Sequence, residues 1–399
     1  MLTWRRSTVR LLATALSGAI AMAVAMGFGR FSYTPILPGM MLDVPLSPGE
    51  AGVIAAANFV GYLLGAVLAG LSFAQGRERV IGLGMLVATT LLLCAMGMAN
   101  AVVVFAVIRF LAGMASAFTM IMISQIVLTR GAAAGSTAVQ SLHFAGVGLG
   151  IAASSLMVWL LPAGQGEALA NWREAWFAGA FLSLLGTACV ALLLPEGPVT
   201  AGTAPAAEPR LVWTRPFAAL TLTYGLFGFG YVITATFLVA MARAGAVDHT
   251  IEFLCWLVTG LSAAVSVAAW RQLVPRFGIV GVYLIGLVVE AAGLVLTVVL
   301  PFPAAPLAGG LLLGATFMMI TAFGLQIGRA LAPASQRRAL AIMTAAFGIG
   351  QIIGPLVAGW LAGSTGSFTL PTLIASAVLI LCAGIILVER RGIRLASGL

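Results

Sequence analysis

Four ionisable side chains stand inside long apolar runs of the sequence: Arg30, Arg109, His143 and Glu290. An ionisable group in hydrocarbon costs several kcal/mol unless it is paired or wetted, so each is a candidate for function. Arg30 has Gly27, Gly29, Tyr33 and Pro35 around it, a composition that loosens a helix and leaves room for a solute. A guanidinium there is suited to gripping an anionic group bidentately in a central cavity. The alternative is a structural ion pair with Asp43 or Glu50 near the outer surface. Arg109 lies roughly 12 Å along a helix axis from the outer end of its run. Its plain role is hydrogen bonding to carbonyls of a neighbouring helix. Glu290 is the only acidic residue near the middle of a run. A lone carboxyl in low dielectric suits a proton carrier, and the competing role is a locally paired structural residue. His143 is either a physiological titrant or an interhelical hydrogen-bonding group. Tyr33, Asn58, Tyr62, Gln125, Tyr224, Tyr231, Gln326 and Gln351 are the polar residues expected beside a solute path, as lining or as interhelical ties.

Runs of about 20 apolar residues are what must position these groups. They fall near 11–40, 48–72, 80–99, 101–128, 136–161, 172–194, 216–242, 251–270, 279–300, 306–330, 338–362 and 368–388. Arg5, Arg6 and Arg10 before the first run resemble a signal peptide, but the run is too long and ends in no A-x-A-like cleavage site. It reads as a spanning helix. With the N-terminus in the cytoplasm, sixteen arginines fall on the inner side and only Arg173 and Arg243 on the outer. That asymmetry supports twelve spans with both termini inside.

The composition requires lipid as solvent. The chain of 399 residues is 61% hydrophobic and 8% charged, against about 25% charged in soluble domains. Its 48 glycines suit closely packed membrane helices. The net charge of +9 rests on basic residues that are all arginine, most of them in short loops, so it implies no nucleic-acid partner. With no lysine, there is no P-loop to hold ATP and no Schiff base. Signatures of hydrolases and metalloenzymes are missing, two histidines (His143 and His249) cannot make a three-histidine metal site, and neither cofactor nor metal is expected. Cys94, Cys189, Cys255 and Cys382 read as buried small apolar residues.

Residues 195–215, rich in Pro, Ala, Gly and Thr, read as a cytoplasmic linker between six-helix halves at 1–194 and 216–399. The halves repeat. Gly27-Phe28-Gly29 recurs as Gly228-Phe229-Gly230 and Gln125-Ile126 as Gln326-Ile327, both 201 residues on. Gly146-Val147-Gly148 recurs as Gly348-Ile349-Gly350, 202 residues on. The expected fold is therefore all-α, with twelve transmembrane helices in two pseudo-symmetric six-helix bundles.

Arg109–Ala117 reads Arg-Phe-Leu-Ala-Gly-Met-Ala-Ser-Ala. It resembles the fourth-helix motif Arg-x-x-Gln-Gly-x-Gly-x-Ala of the major facilitator superfamily, with Ala112 at the Gln position. Gly354–Gly359 is similar to the superfamily's Gly-Pro-x-x-Gly-Gly pattern. Gly29-Arg-Phe-Ser-Tyr-Thr-Pro-Ile-Leu-Pro38 and Ala57-Asn-Phe-Val-Gly-Tyr-Leu-Leu-Gly65 resemble its YbfB/YjiJ-type branch. The resemblance covers the whole chain. It implies that Arg109 faces the cavity and takes part in proton coupling, and that helix 9, which carries Glu290, is peripheral. The chain departs from the superfamily at the loop Phe73–Arg79, which lacks the usual Asp, and at Arg271–Gly278. A conformational latch there would be weaker, or rebuilt through Glu78.

The leading expectation is a monomeric secondary transporter in a bacterial inner membrane. It moves a small organic solute, anionic or zwitterionic, by alternating access with proton coupling. A multidrug exporter would need an acidic residue for cations, and Glu290 is the sole candidate. A non-transporting receptor or scaffold would need larger soluble loops than the chain has.

Overall fold

The computed structural model describes residues 2–70, 76–161, 171–196, 208–245 and 248–398, with side chains from residue 10 onward. Loop residues 73–75 and linker residues 197–207 lie outside the described residues. Twelve helices are long and apolar enough to cross a membrane. They are α1 (Arg10–Asp43), α2 (Pro48–Ala69), α3 (Glu78–Met98), α4 (Val102–Ala133), α5 (Thr137–Leu160) and α6 (Trp172–Leu193), then α7 (Arg215–Gly245), α8 (His249–Arg271), α9 (Val274–Val299), α10 (Ala304–Leu331), α11 (Gln336–Thr365) and α12 (Thr369–Ser397). No strand occurs among the described residues. Twelve crossings return the chain to the face where it began, here called the terminus face.

α1 is not a uniform rod. Its middle, Ala23–Phe31, is a π-helix between α-helical arms. Wide turns of this kind are uncommon and concentrate at functional sites. α9 is also broken. Gly278 has φ 70° and ψ 159°, so the spanning part starts at Ile279, and only glycine takes that backbone freely.

Close backbone crossings hold the two halves together on the side far from the termini. α5 meets α8 so tightly that a Cβ on Gly260 would lie 2.4 Å from the Ala152 nitrogen. α2 meets α11 in the same way, with the Gly52 position against the Pro355 carbonyl. Beyond these crossings, Ser155 Oγ donates to the Phe253 carbonyl at 2.8 Å, and Trp159 stacks on Phe253 at 4.9 Å. Thr34 Oγ1 of α1 donates to the Ala235 carbonyl of α7 at 2.7 Å. These two residues are 201 apart, the offset that relates the halves in sequence, so mates meet near the pseudo-twofold axis.

The arginines expected away from the termini both have partners. Arg243 grips Glu252 through Nε and Nη2. Arg173 donates to the Gly97 and Ala99 carbonyls and lies 4.2 Å from the Trp172 ring. At the terminus face, the Glu208 carboxylate accepts from the Arg337 and Arg338 main-chain nitrogens, fastening the end of the linker onto the start of α11. Desolvation pushes this carboxyl up, and those bonds with the Arg337 guanidinium outweigh it, so Glu208 titrates below its usual value. Glu78 accepts from the Gly76 nitrogen of its own loop, a local cap where a latch was expected. Cys255 and Cys382 are buried, whereas Cys189 is exposed, because its α6 face turns outward from the bundle.

Candidate functional site

A cavity of about 850 Å³ runs from the middle of the bundle to the terminus face. Its wide end is bordered by Gly131, Gly135 and Ser136 at the α4–α5 turn and by Arg329 near the end of α10. Its deep end is bordered by Arg30 and Phe31 of α1, Tyr62 of α2, Tyr231 of α7, Phe317 of α10 and Gln351 of α11. Two arginines and no carboxylate line it among the described residues. The remaining wall is largely Met, Leu, Val and Phe.

Arg30 is 5% exposed. Its guanidinium carbon lies 4.3 Å from the Tyr62 ring centre, 4.6 Å from Phe59 and 5.5 Å from Phe31, a cage that stabilises a cation through ring quadrupoles. Neither structural partner considered from sequence reaches it. Glu50 is held in a capping box with Ser47 at the start of α2, and Asp43 accepts from Trp172 Nε1 at 2.7 Å. Arg30 Nε and Nη2 have no hydrogen-bond partner. These two nitrogens form the same edge of the guanidinium that Arg243 turns on Glu252.

Arg109 is placed differently from the expectation of a cavity-facing group. It is buried and does not line the large cavity. Nη1 donates to the Gly29 carbonyl at 2.9 Å and Nη2 to the Arg30 carbonyl at 2.7 Å. The reason lies in α1. Gly29 and Arg30 lie at the end of the π segment, and Pro35 in the α-helix that follows has no N–H to give a carbonyl of the preceding turn. Arg109 supplies one and thereby fixes the peptide that carries Arg30. Asn58 Nδ2 donates to the Arg109 carbonyl at 2.9 Å, and Tyr33 Oη to the Ala51 carbonyl at 3.0 Å. Both are ties behind the cavity wall.

The Arg109→Ala change is expected to strip donors from two buried carbonyls, at about 1–3 kcal/mol each. Thermal unfolding in detergent should show a clear loss of stability for Arg109→Ala and little change for Arg30→Ala. The reverse ranking would contradict this assignment.

Of the other residues singled out from sequence, Tyr62, Tyr231 and Gln351 line the cavity, and Gln351 Nε2 donates to Tyr231 Oη. His143 is buried, with Nε2 2.7 Å from Ser124 Oγ. Ser124 does line the cavity, so His143 stands one hydroxyl away from it. Glu290 is buried inside the second half, off the cavity wall, and neither of its carboxyl oxygens has a hydrogen-bond partner. Gln125 and Gln326 are exposed and do not line the cavity. One residue is 100° of helix rotation, and it is the neighbour Ser124 that points inward. Sequence reasoning missed Phe317, Phe347 and Arg329. A usable signal was the helical stripe at Thr344, Phe347 and Gln351, spaced three and four residues apart on one face.

A cavity at mid-membrane, walled by both halves of a twelve-helix protein and opening to one face, is the anatomy of a membrane transporter. The chain belongs to the family described as uncharacterised MFS-type transporter YbfB, whose model matches residues 22–387. It is thus a multi-pass membrane protein of the major facilitator superfamily and not an enzyme. The nucleoside transporter NupG shares the fold, with a TM-score of 0.72 at 16% identity over 95% of this chain and 98% of that one. A bacterial homologue of the human lysosomal transporter Spinster, in an inward-facing and occupied conformation, has a TM-score of 0.71 at 14% identity over 97% of each chain. No curated protein matches the sequence.

Proposed function

We propose that this protein is a gradient-driven carrier of small organic anions, or of zwitterions presenting a carboxylate, that works by alternating access. The observation that carries this reading is Arg30, a buried cation at the deep end of a cavity that no carboxylate lines among the described residues, with Nε and Nη2 unpartnered. A cavity built this way repels no anion and offers an organic cation nothing to pair with, which disfavours cationic-drug efflux. Residues 1–194 and 216–399 are the two rocking halves, joined by the linker at 195–215. The excess of arginine on the terminus face supports assigning that face to the bacterial cytoplasm. Protons are the coupling ion, with the His143 imidazole one hydroxyl, that of Ser124, away from the solute path. The carrier acts as a monomer.

The test is uptake into proteoliposomes holding the purified protein, under an imposed proton gradient, against a panel of labelled organic anions and cationic dyes. Concentrative movement of at least one anion is the expected result. Movement of dyes alone would overturn the reading and favour efflux.

A further inference from the structure

The deep end of the cavity pairs its one cation with an ordered row of aromatic rings. The Phe317 ring lies 3° from parallel to Tyr231 and the Phe347 ring 7°, each with its centre 5.7 Å away. The three rings come from α10, α7 and α11. Gln351 fixes the middle one through its phenol oxygen. Phe31, next to Arg30 in the chain, meets the Phe317 ring edge-on at 6.3 Å. Cation and ring row therefore share one site. Offset parallel stacking favours a flat π-system over a saturated ring of the same size. Arg30 is the one guanidinium that lines the deep end, which suits a single carboxylate, since Arg109 behind it is spent on the Gly29 and Arg30 carbonyls and Arg329 is far off at the mouth.

We infer that the solutes carried are aromatic monocarboxylates. This rests on the organic-anion reading above. The ring of the solute lies along Tyr231, Phe317 and Phe347, and its carboxylate accepts from Arg30 Nε and Nη2. Both nitrogens are buried, so the carboxylate reaches them by displacing the cage of Phe31, Phe59 and Tyr62. That displacement links solute binding to movement of α1 and α2.

Three probes of like size separate the contributions: benzoate, cyclohexanecarboxylate and benzamide, titrated calorimetrically into the detergent-purified wild-type protein. Benzoate is expected to bind at least tenfold more tightly than cyclohexanecarboxylate, with benzamide showing no measurable binding. Phe317→Leu and Phe347→Leu, each checked for fold by its thermal transition, should each weaken benzoate about fivefold and leave cyclohexanecarboxylate within twofold. Equal binding of benzoate and cyclohexanecarboxylate would overturn the aromatic assignment and leave the anion reading standing. Benzamide binding as tightly as benzoate would overturn both. Binding of none of the three would overturn the aromatic assignment, and the anion panel in proteoliposomes would then decide the broader reading separately.

Discussion

Arg30→Lys is expected to cut anion uptake about thirtyfold or more, nearly as far as Arg30→Ala, in protein that reaches the membrane in normal amount. Losing one side of a buried, hydrogen-bonded charge pair costs about 2–5 kcal/mol, and each 1.4 kcal/mol is about a factor of ten. Lysine keeps the charge and places it near the same rings. It cannot present two parallel donors to a carboxylate, because its ammonium is a point charge. The comparison therefore separates charge from fork. The measurement is initial uptake rate in proteoliposomes, normalised to reconstituted protein, with binding affinity beside it. Lysine performing within threefold of arginine would show that the unpartnered Nε–Nη2 edge does not seat the solute.

The second large effect is expected at Gly260, far from the solute. A Cβ there would lie 2.4 Å from the Ala152 nitrogen and 2.6 Å from the Gly148 carbonyl. Both obstacles are main chain, so no rotamer change relieves the clash, and α5 and α8 must separate. Overpacking of this kind costs about 1–3 kcal/mol. In the proposed alternating-access cycle the cost falls on the form closed on the far face, the form in which this crossing is seen. Gly260→Leu is thus expected to drop transport to roughly a tenth or less while leaving solute affinity nearly intact. In a background lacking the four native cysteines, a cysteine at Ser155 should become reactive to an impermeant thiol reagent on the far face. Ser155 is 1% exposed in this form. Wild-type turnover from Gly260→Leu would mean that this crossing does not open during the cycle.

The helices and their number were legible because their signals are local. Apolar runs of spanning length and arginines gathered in alternate loops need no knowledge of neighbours. Arg30 was legible for a related reason: a cation among glycines and prolines in an apolar run has few structural uses. What failed depended on rotation and on contacts between helices. Gln125 and Gln326 matched across the repeat, but a repeat does not say which way a residue faces. Arg109 carried the fourth-helix motif, yet its partners are the Gly29 and Arg30 carbonyls at the end of the π segment of α1. No property of residues 102–133 alone foretells that. The aromatic row is the same case, since its three rings come from three helices and become parallel only when those helices pack.

The lack of any carboxylate beside Arg30 also has an electrical side. In the proposed carrier, Arg30 and Arg109 are two positive charges deep in the membrane with no carboxylate partner among the described residues, and binding one monovalent anion offsets one of them. An interior-negative potential is worth about 2.3 kcal/mol per charge for each 100 mV across the full bilayer. On the proposed orientation that force favours the inward-open shape more strongly in the unloaded form than in the loaded one, so membrane voltage speeds the return step of an exporter and slows that of an importer.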